Sequence, residues 1–369
     1  MPDPESPSTP SPAVTVGLAL DVSGSMESSI ANYAGGELAR LDGLRNAVDL
    51  LLEEATRLAG LTESDDRIPI NIFVYAFGLQ LPAVNGACDL LRLIELARIA
   101  EPIALEMAQD YERRLRTNER DVAIELMGWQ AMDLLKMSRA DAEATLRARI
   151  KERVTKDAMK KIFARAAGRS LKDLTLSAGS LMERWSSFRD SLSTDNDLLG
   201  GNTPMCACLS LIRERFARER ERHPDCSRFV LLIVSDGEPT DGDPRPIAQQ
   251  IAEAGVDIVS CFVAPQDVTG SKLLYNTPQR SWSGGAVAMF DIAAQASIVS
   301  PELRFLLERG WHVHEDPVGL WAALRRWVWG RSQPEASARL FAQVNHSQHL
   351  QEFMQVILAP LRLESESVS

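Results

Sequence analysis

Hydrophobic and polar positions along the chain sort into two kinds of run. Residues 13–20, Ala-Val-Thr-Val-Gly-Leu-Ala-Leu, carry no charge and predict a strand covered on both faces. The run breaks at once into Asp21-Val22-Ser23-Gly24-Ser25-Met26, a polar loop at the strand's carboxyl end. Leu38, Leu41, Leu44, Val48, Leu51, Leu52, Ala55 and Leu58 then fall at helical spacing, and Gly60 closes that helix. Residues 67–77 alternate as a strand does, Asn85-Gly86 marks a turn, and a helix is expected from about Cys88.

From about Arg98 to Thr194 the pattern changes. Proline occurs only at Pro102, β-branched runs disappear, and Leu, Ala, Met, Arg and Glu dominate, which predicts several helices and no strand. Trp129, Met132, Leu135 and Ile150 are expected to be buried, because an amphipathic helix needs neighbours to cover its apolar stripe. The most basic part, Arg147 to Lys172, reads as a solvated helix face.

The first pattern then returns. A glycine-containing loop holds Thr203, a helix is predicted over 205–216 behind Pro204, and residues 228–235 give the strongest buried-strand signal in the chain. That strand ends in Asp236-Gly237-Glu238-Pro239-Thr240-Asp241-Gly242-Asp243, followed by a helix over 244–254 and a strand over 256–263. Strand and helix alternating in this way define an α/β fold, a doubly wound and mostly parallel sheet. Short elements are expected at Met289 to Ala293 and Gly310 to His314, a helix bearing Trp321, Trp327 and Trp329, and a last helix over 347–361. The domain reading is a disordered tail over 1–12, a sheet domain over 13–97 and 195–330, a large all-helical insertion over 98–194, and a helical extension and tail over 331–369.

Composition narrows the function classes. Hydrophobic content of 45% and charged content of 25% are globular values, and a net charge of -11 disfavours nucleic acid, whose backbone calls for a concentrated basic surface. The five cysteines form no Cys-x-x-Cys pair and read as small core residues in a reducing compartment. The Pro- and Ser-rich start lacks the basic and apolar parts of a signal peptide, and no apolar stretch reaches a membrane span of about 20 residues. A cytoplasmic location is therefore expected. His312 and His314 share one face of their short strand without a third soft ligand nearby, which favours packing over metal binding.

The candidate chemistry is that of oxygen. Asp21, Ser23 and Ser25 place a carboxylate and two hydroxyls where a doubly wound sheet binds ligands, outside the carboxyl ends of its strands. Taken alone, the triplet has two readings: ligands for a hard cation that takes about six oxygens, or a helix cap and loop-amide acceptors. Thr203, in Gly-Gly-Asn-Thr-Pro, and Asp236, in Val-Ser-Asp-Gly, fall on the same predicted rim. Asp241 and Asp243 read as a turn and a cap before the helix at Pro244.

Asp-x-Ser-x-Ser, a distant Thr and a distant Asp, in that order, resemble the metal-ion-dependent adhesion site of the von Willebrand factor A domain. The resemblance covers residues 13–98 and 195–330. It implies that Ser23, Ser25 and Thr203 ligate Mg²⁺, with Mn²⁺ as the alternative, and that Asp21 and Asp236 act directly or through water. It also implies an open coordination position that takes an Asp or Glu of a protein partner. Neutral hydroxyls only partly offset the cation, which suits binding, and none of the histidines belongs to the motif to serve as a base, so the protein is expected not to be an enzyme. Among relatives so implied, the chain resembles stand-alone bacterial members from tellurium-resistance and other stress or defence operons, acting as scaffolds or adaptors. The competing readings are a partner subunit of an AAA+ ATPase of the MoxR or chelatase type and a metal-dependent phosphohydrolase. Because Asp21 and Asp236 lie at strand ends, their truncation to Ala is expected to leave stability nearly unchanged.

Overall fold

Val14–Asp21 (β1) forms the central strand, and all eight of its residues are buried. The computed structural model describes residues 14–31, 36–60, 70–80, 85–127, 136–166, 175–189, 199–265, 270, 272–314 and 337–362. After β1 come a hairpin of Ser29–Ala31 (β2) and Glu37–Ala39 (β3), the helix Arg40–Gly60 (α1) and the strand Ile70–Phe77 (β4). Ala87–Asp89 (β5) leads into Leu90–Thr117 (α2), followed by Glu119–Met127 (α3), Arg139–Ala166 (α4), Leu176–Ser177 (β6) and Ala178–Arg189 (α5). Met205–Arg222 (α6), Arg228–Ser235 (β7), Arg245–Glu253 (α7) and Val256–Val263 (β8) continue the alternation. Leu273–Tyr275 (β9), Gly284–Ile292 (α8), Gln295–Ser297 (β10), Pro301–Glu308 (α9) and His312–His314 (β11) come next. Ser337–Arg339 (β12), Phe341–Val344 (β13) and Ser347–Met354 (α10) follow, and a 3-10 turn, Gln355–Leu358, comes directly after α10.

The main sheet runs β11-β9-β13-β8-β7-β1-β4-β5, with β6 also paired to β4. Its centre is parallel: β1 pairs with β4 and β7, β7 with β8, and β8 with β13. Within this sheet, among the described residues, only β5, β6 and the β13–β9 pair are antiparallel; β2 with β3 and β10 with β12 form separate antiparallel pairs. Side chains alternate across the pleat, so Val14, Val16, Leu18 and Leu20 join Val230, Leu232 and Val234 in one core beneath α1 and α10. Ala19, Leu231 and Ile233 face the other way, into a second core with Phe73, Phe77, Phe216 and Phe229 beneath α6, α7 and α8. Two covered faces are what a doubly wound sheet requires, and they explain why its central strands read as continuous apolar runs.

The structure departs from the sequence reading in four places. First, α2 runs unbroken from Leu90 through Pro102 to Thr117, so no structural break falls at Arg98. Second, the helical stretch is not free of strand, because Leu176 and Ser177 pair with Ile72 and Asn71 and fasten it to the sheet edge. Third, 331–369 is not helical throughout: β13 enters the main sheet between β8 and β9. A four-residue strand, Phe-Ala-Gln-Val, is too short to register as alternation, and tertiary pairing decides it. Fourth, β2, β3, β9 and β10 are three-residue strands too short to give a periodic signal, whereas α9, absent from the sequence reading, does carry helix-start signals, Ser300 accepting from Leu303 N and Pro301 in the first turn. Ile150 is buried, in a small core with Tyr111, Val122 and Val154 between α2, α3 and α4. Trp129, Met132, Leu135 and the tryptophans 321, 327 and 329 lie outside the described residues. Cys208 and Cys261 are buried and Cys88, Cys206 and Cys226 half-buried, all as free thiols. His314 packs its ring 5.5 Å from Tyr275. No helix among the described residues is long and apolar enough to cross a membrane.

Candidate metal centre

Parallel pairing brings the strand ends level. Asp21 is opposite Phe77, and Leu20 is opposite Val234, so the loops after β1, β4 and β7 emerge on one rim. Backbone bonds then weave those loops together with the loop before α6. Val22 N donates to Phe77 O (2.8 Å), Gly200 N to Val22 O (3.0 Å), Gly24 N to Gly201 O (3.2 Å) and Gly201 N to Gly78 O (2.7 Å). The weave is tight enough to dictate residue type. Gly78 has φ +94°, and a β-carbon there would lie 2.4 Å from Ser23 N, so glycine alone fits.

All five expected residues reach this rim. The Asp21 side chain is fully buried: its Oδ1 accepts from Ser23 N at 2.8 Å and its Oδ2 from Ser235 Oγ at 2.5 Å. Ser23 Oγ lies 3.0 Å from Ser25 Oγ, which donates to Asp236 Oδ1 at 2.6 Å. Thr203 joins from α6's entrance. A β-carbon placed on Gly237 would stand 2.9 Å from Thr203 Oγ1, closer than a side chain tolerates, and 3.7 Å from Ser25 Oγ, so a glycine at this position lets both hydroxyls approach one point of the backbone. This small, glycine-made cradle of neutral and anionic oxygens fits a hard divalent cation by its donor chemistry. Asp21 has both oxygens engaged, so it contributes charge behind the hydroxyls and orients Ser23.

Burial pushes the Asp21 carboxyl up to about 7, with the negative charge on Asp236 acting in the same direction. The hydrogen bonds from Ser23 and Ser235 pull it down but do not prevail. Asp21 is thus the last residue of a core strand rather than a member of an open loop, which corrects the expectation that its truncation to Ala is nearly neutral.

Two contributors carried no sequence signal as such. Ser235 ends a strand whose apolar run drew all the attention, although a polar residue next to Asp236 was the available cue. Arg40, the first residue of α1, pairs through Nη1 with Asp236 Oδ2, and both side chains are buried. Asp241 also has a role other than the expected one. Its Oδ1 and Oδ2 accept from Cys206 N (3.0 Å) and Ala207 N (2.8 Å) at the start of α6, while Thr240 N donates to Thr203 O (2.9 Å). Asp243 stands one residue before the N-cap of the next helix, Pro244, and accepts from Arg245 N and Nε. The loop after β7 therefore holds the helix that carries Thr203. Asp241→Ala should lower stability by about 1 kcal/mol, as loss of a helix cap does, and weaken Mn²⁺ binding by displacing Thr203. Thermal melts and calorimetric titration of Asp241→Ala check this, with the exposed Asp243→Ala as the variant expected to bind Mn²⁺ as wild type does.

No family model and no curated protein sequence matches the chain. Solved structures similar to it include the pilus adhesin SpaC from Lactobacillus rhamnosus GG, at 11% identity over 97% of this chain with a TM-score of 0.39; the match spans 30% of the adhesin. The conserved hypothetical protein BatB from Bacteroides thetaiotaomicron is similar at 13% identity over 69% of this chain and 68% of that one, TM-score 0.28. A manganese-loaded TRAP protein from Plasmodium vivax is similar at 12% identity over 68% of this chain and 57% of that one, TM-score 0.27. These likenesses carry no argument about the rim. The fold class rests on the chain's own sheet order and pairing, which are α/β, doubly wound and mostly parallel, of the Rossmann kind.

Proposed function

We propose that the chain is a metal-dependent protein-interaction module. Ser23, Ser25 and Thr203 would hold Mg²⁺ or Mn²⁺ with Asp236, while Asp21 supplies buried charge. The observation that carries this reading is the approach of the Thr203 and Ser25 hydroxyls to one backbone position, Gly237, with Ser25 itself bonded to Asp236. The bound cation would supply an electrophilic site for an outside oxygen, here an Asp or Glu side chain of a partner protein. Binding rather than turnover is supported by how the nearby carboxylates are used. Asp21, Asp241 and Asp243 all accept structural hydrogen bonds, so each is committed to holding the fold.

A pulldown with the wild-type chain in Mg²⁺ should capture a partner that is lost in EDTA and lost with Ser25→Ala. Capture that is indifferent to metal sinks the proposal. An AAA+ ATPase among metal-dependent partners would assign the chain to the motor-associated class, and a bacterial stress or defence protein to the adaptor class. Hydrolysis of a generic phosphoester in Mg²⁺ would overturn the non-catalytic reading.

A further inference from the structure

We propose that Arg40 is a built-in counter-ion that competes with the divalent cation for Asp236 and thereby sets the metal affinity of the rim. The inference rests on the metal-binding reading above, and the path of the chain supports it. Ser25 lies within a 3-10 turn, Gly24–Glu27, from which the chain enters the β2–β3 hairpin and returns to the rim at Arg40, whose N–H donates to Ser28 O at 2.8 Å. The hairpin thus delivers a cation to the site it has just left.

The side chain is held there for its charge. Arg40 is 7% exposed, and the Asp236 side chain is entirely covered. Asp236 Oδ2 takes Arg40 Nη1, while Oδ1 takes Ser25 Oγ at 2.6 Å, so one carboxylate is shared between the guanidinium and the hydroxyl chain. Arg40 Nε is buried and has no hydrogen-bond partner among the described residues, so this nitrogen is not committed to a structural partner there. Such a desolvated cation is favourable only while its carboxylate remains fully available to it.

Charge counting gives the consequence. With Asp21 and Asp236 ionised, Arg40 halves the negative charge of the empty rim. A divalent cation must then share Asp236 with a like charge inside a region of low dielectric, where repulsion is strong. Removing the guanidinium leaves Asp236 buried without a counter-ion, which raises the free energy of the empty state and leaves the loaded state less repelled. By linkage, both effects tighten metal binding.

The test is a Mn²⁺ titration by calorimetry at pH 8 on the full chain. Arg40→Gln should bind about tenfold more tightly than wild type, and Arg40→Lys, which keeps the charge, should stay within about twofold. Wild type that binds no Mn²⁺ beside an Arg40→Gln that does would also support the inference. It is overturned if Arg40→Gln, with a wild-type circular dichroism spectrum and cooperative melt, binds equally or more weakly, or if Arg40→Lys tightens as much as Arg40→Gln. In those cases wild-type binding leaves the proposed function standing, whereas absence of binding in all variants removes both readings. If Arg40→Gln does not fold, the wild-type Arg40 Nε–H resonance, assigned by its loss in Arg40→Lys, decides the matter. A shift on adding Mg²⁺ supports competition for Asp236, and an unmoved resonance overturns it.

Discussion

Asp21→Asn should melt at a higher temperature than the wild-type chain in EDTA at pH 8, and should lose the stabilisation that Mg²⁺ gives the wild type. Asparagine keeps the shape and the acceptor for Ser23 N, and Ser235 Oγ can turn to accept from the new amide. What it removes is a fully buried charge. The Asp21 carboxyl is raised from 3.8 to about 7 by burial, so the folded chain keeps a proton that the unfolded chain gives up. Stability from this group is therefore complete below about pH 4 and is lost as pH rises through 7. The full loss is worth roughly 4 kcal/mol, at about 1.4 kcal/mol per unit. The gap between variant and wild type should accordingly be largest at pH 8 and close at pH 4. Asp21→Ala removes the same charge but leaves Ser23 N–H without its acceptor and the Ser235 O–H without its acceptor beside a cavity, so it should be about 1–3 kcal/mol less stable than Asp21→Asn at every pH and less stable than wild type at pH 4. An Asn variant that melts below wild type in EDTA at pH 8, or that still gains stability from Mg²⁺, refutes this account of the site.

How far the site could be read from the sequence depended on where each residue's role comes from. β1, β7 and β8 were legible because central parallel strands must be apolar on both faces, and each run ended in an abrupt polar loop. That coincidence located Asp21, Ser23, Ser25 and Asp236, and the proline at the head of α6 located Thr203. Depth was not legible. Asp21 looks like a loop residue until register shows it opposite Phe77, inside the sheet. Arg40 was invisible for a related reason. An arginine at the start of an amphipathic helix looks solvated, and only the hairpin, whose three-residue strands give no periodic signal, turns it onto Asp236. Asp241 shows the same limit: its sequence neighbours suggested the following helix, but its hydrogen-bond partners are 34 and 35 residues upstream.

Metal affinity should itself report the buried carboxyl. For the wild-type chain, Mg²⁺ binding is expected to weaken about tenfold for each pH unit below about 7 and to level off above it, because a cation that needs Asp21 ionised must displace one proton. Charge on Asp236 raises the Asp21 carboxyl, so a cation held by Asp236 and the neighbouring hydroxyls would relieve the repulsion that burial intensifies. The slope should therefore belong to Asp21. Asp21→Asn, whose amide does not titrate, should show at most residual binding, too weak to raise its melting temperature and flat between pH 5.5 and 8. Calorimetry across that range, repeated in buffers of different ionisation enthalpy, counts the protons released directly: close to one per cation at pH 6 in the wild type and none in the variant. Because a partner that binds through the cation is linked to it, metal-dependent capture should fall away over the same interval, at pH values where the partner's own carboxylate is still ionised. A wild-type affinity that stays constant from pH 5.5 to 8 would mean that the cation does not draw on Asp21, and the buried carboxylate would then be a structural element of the sheet.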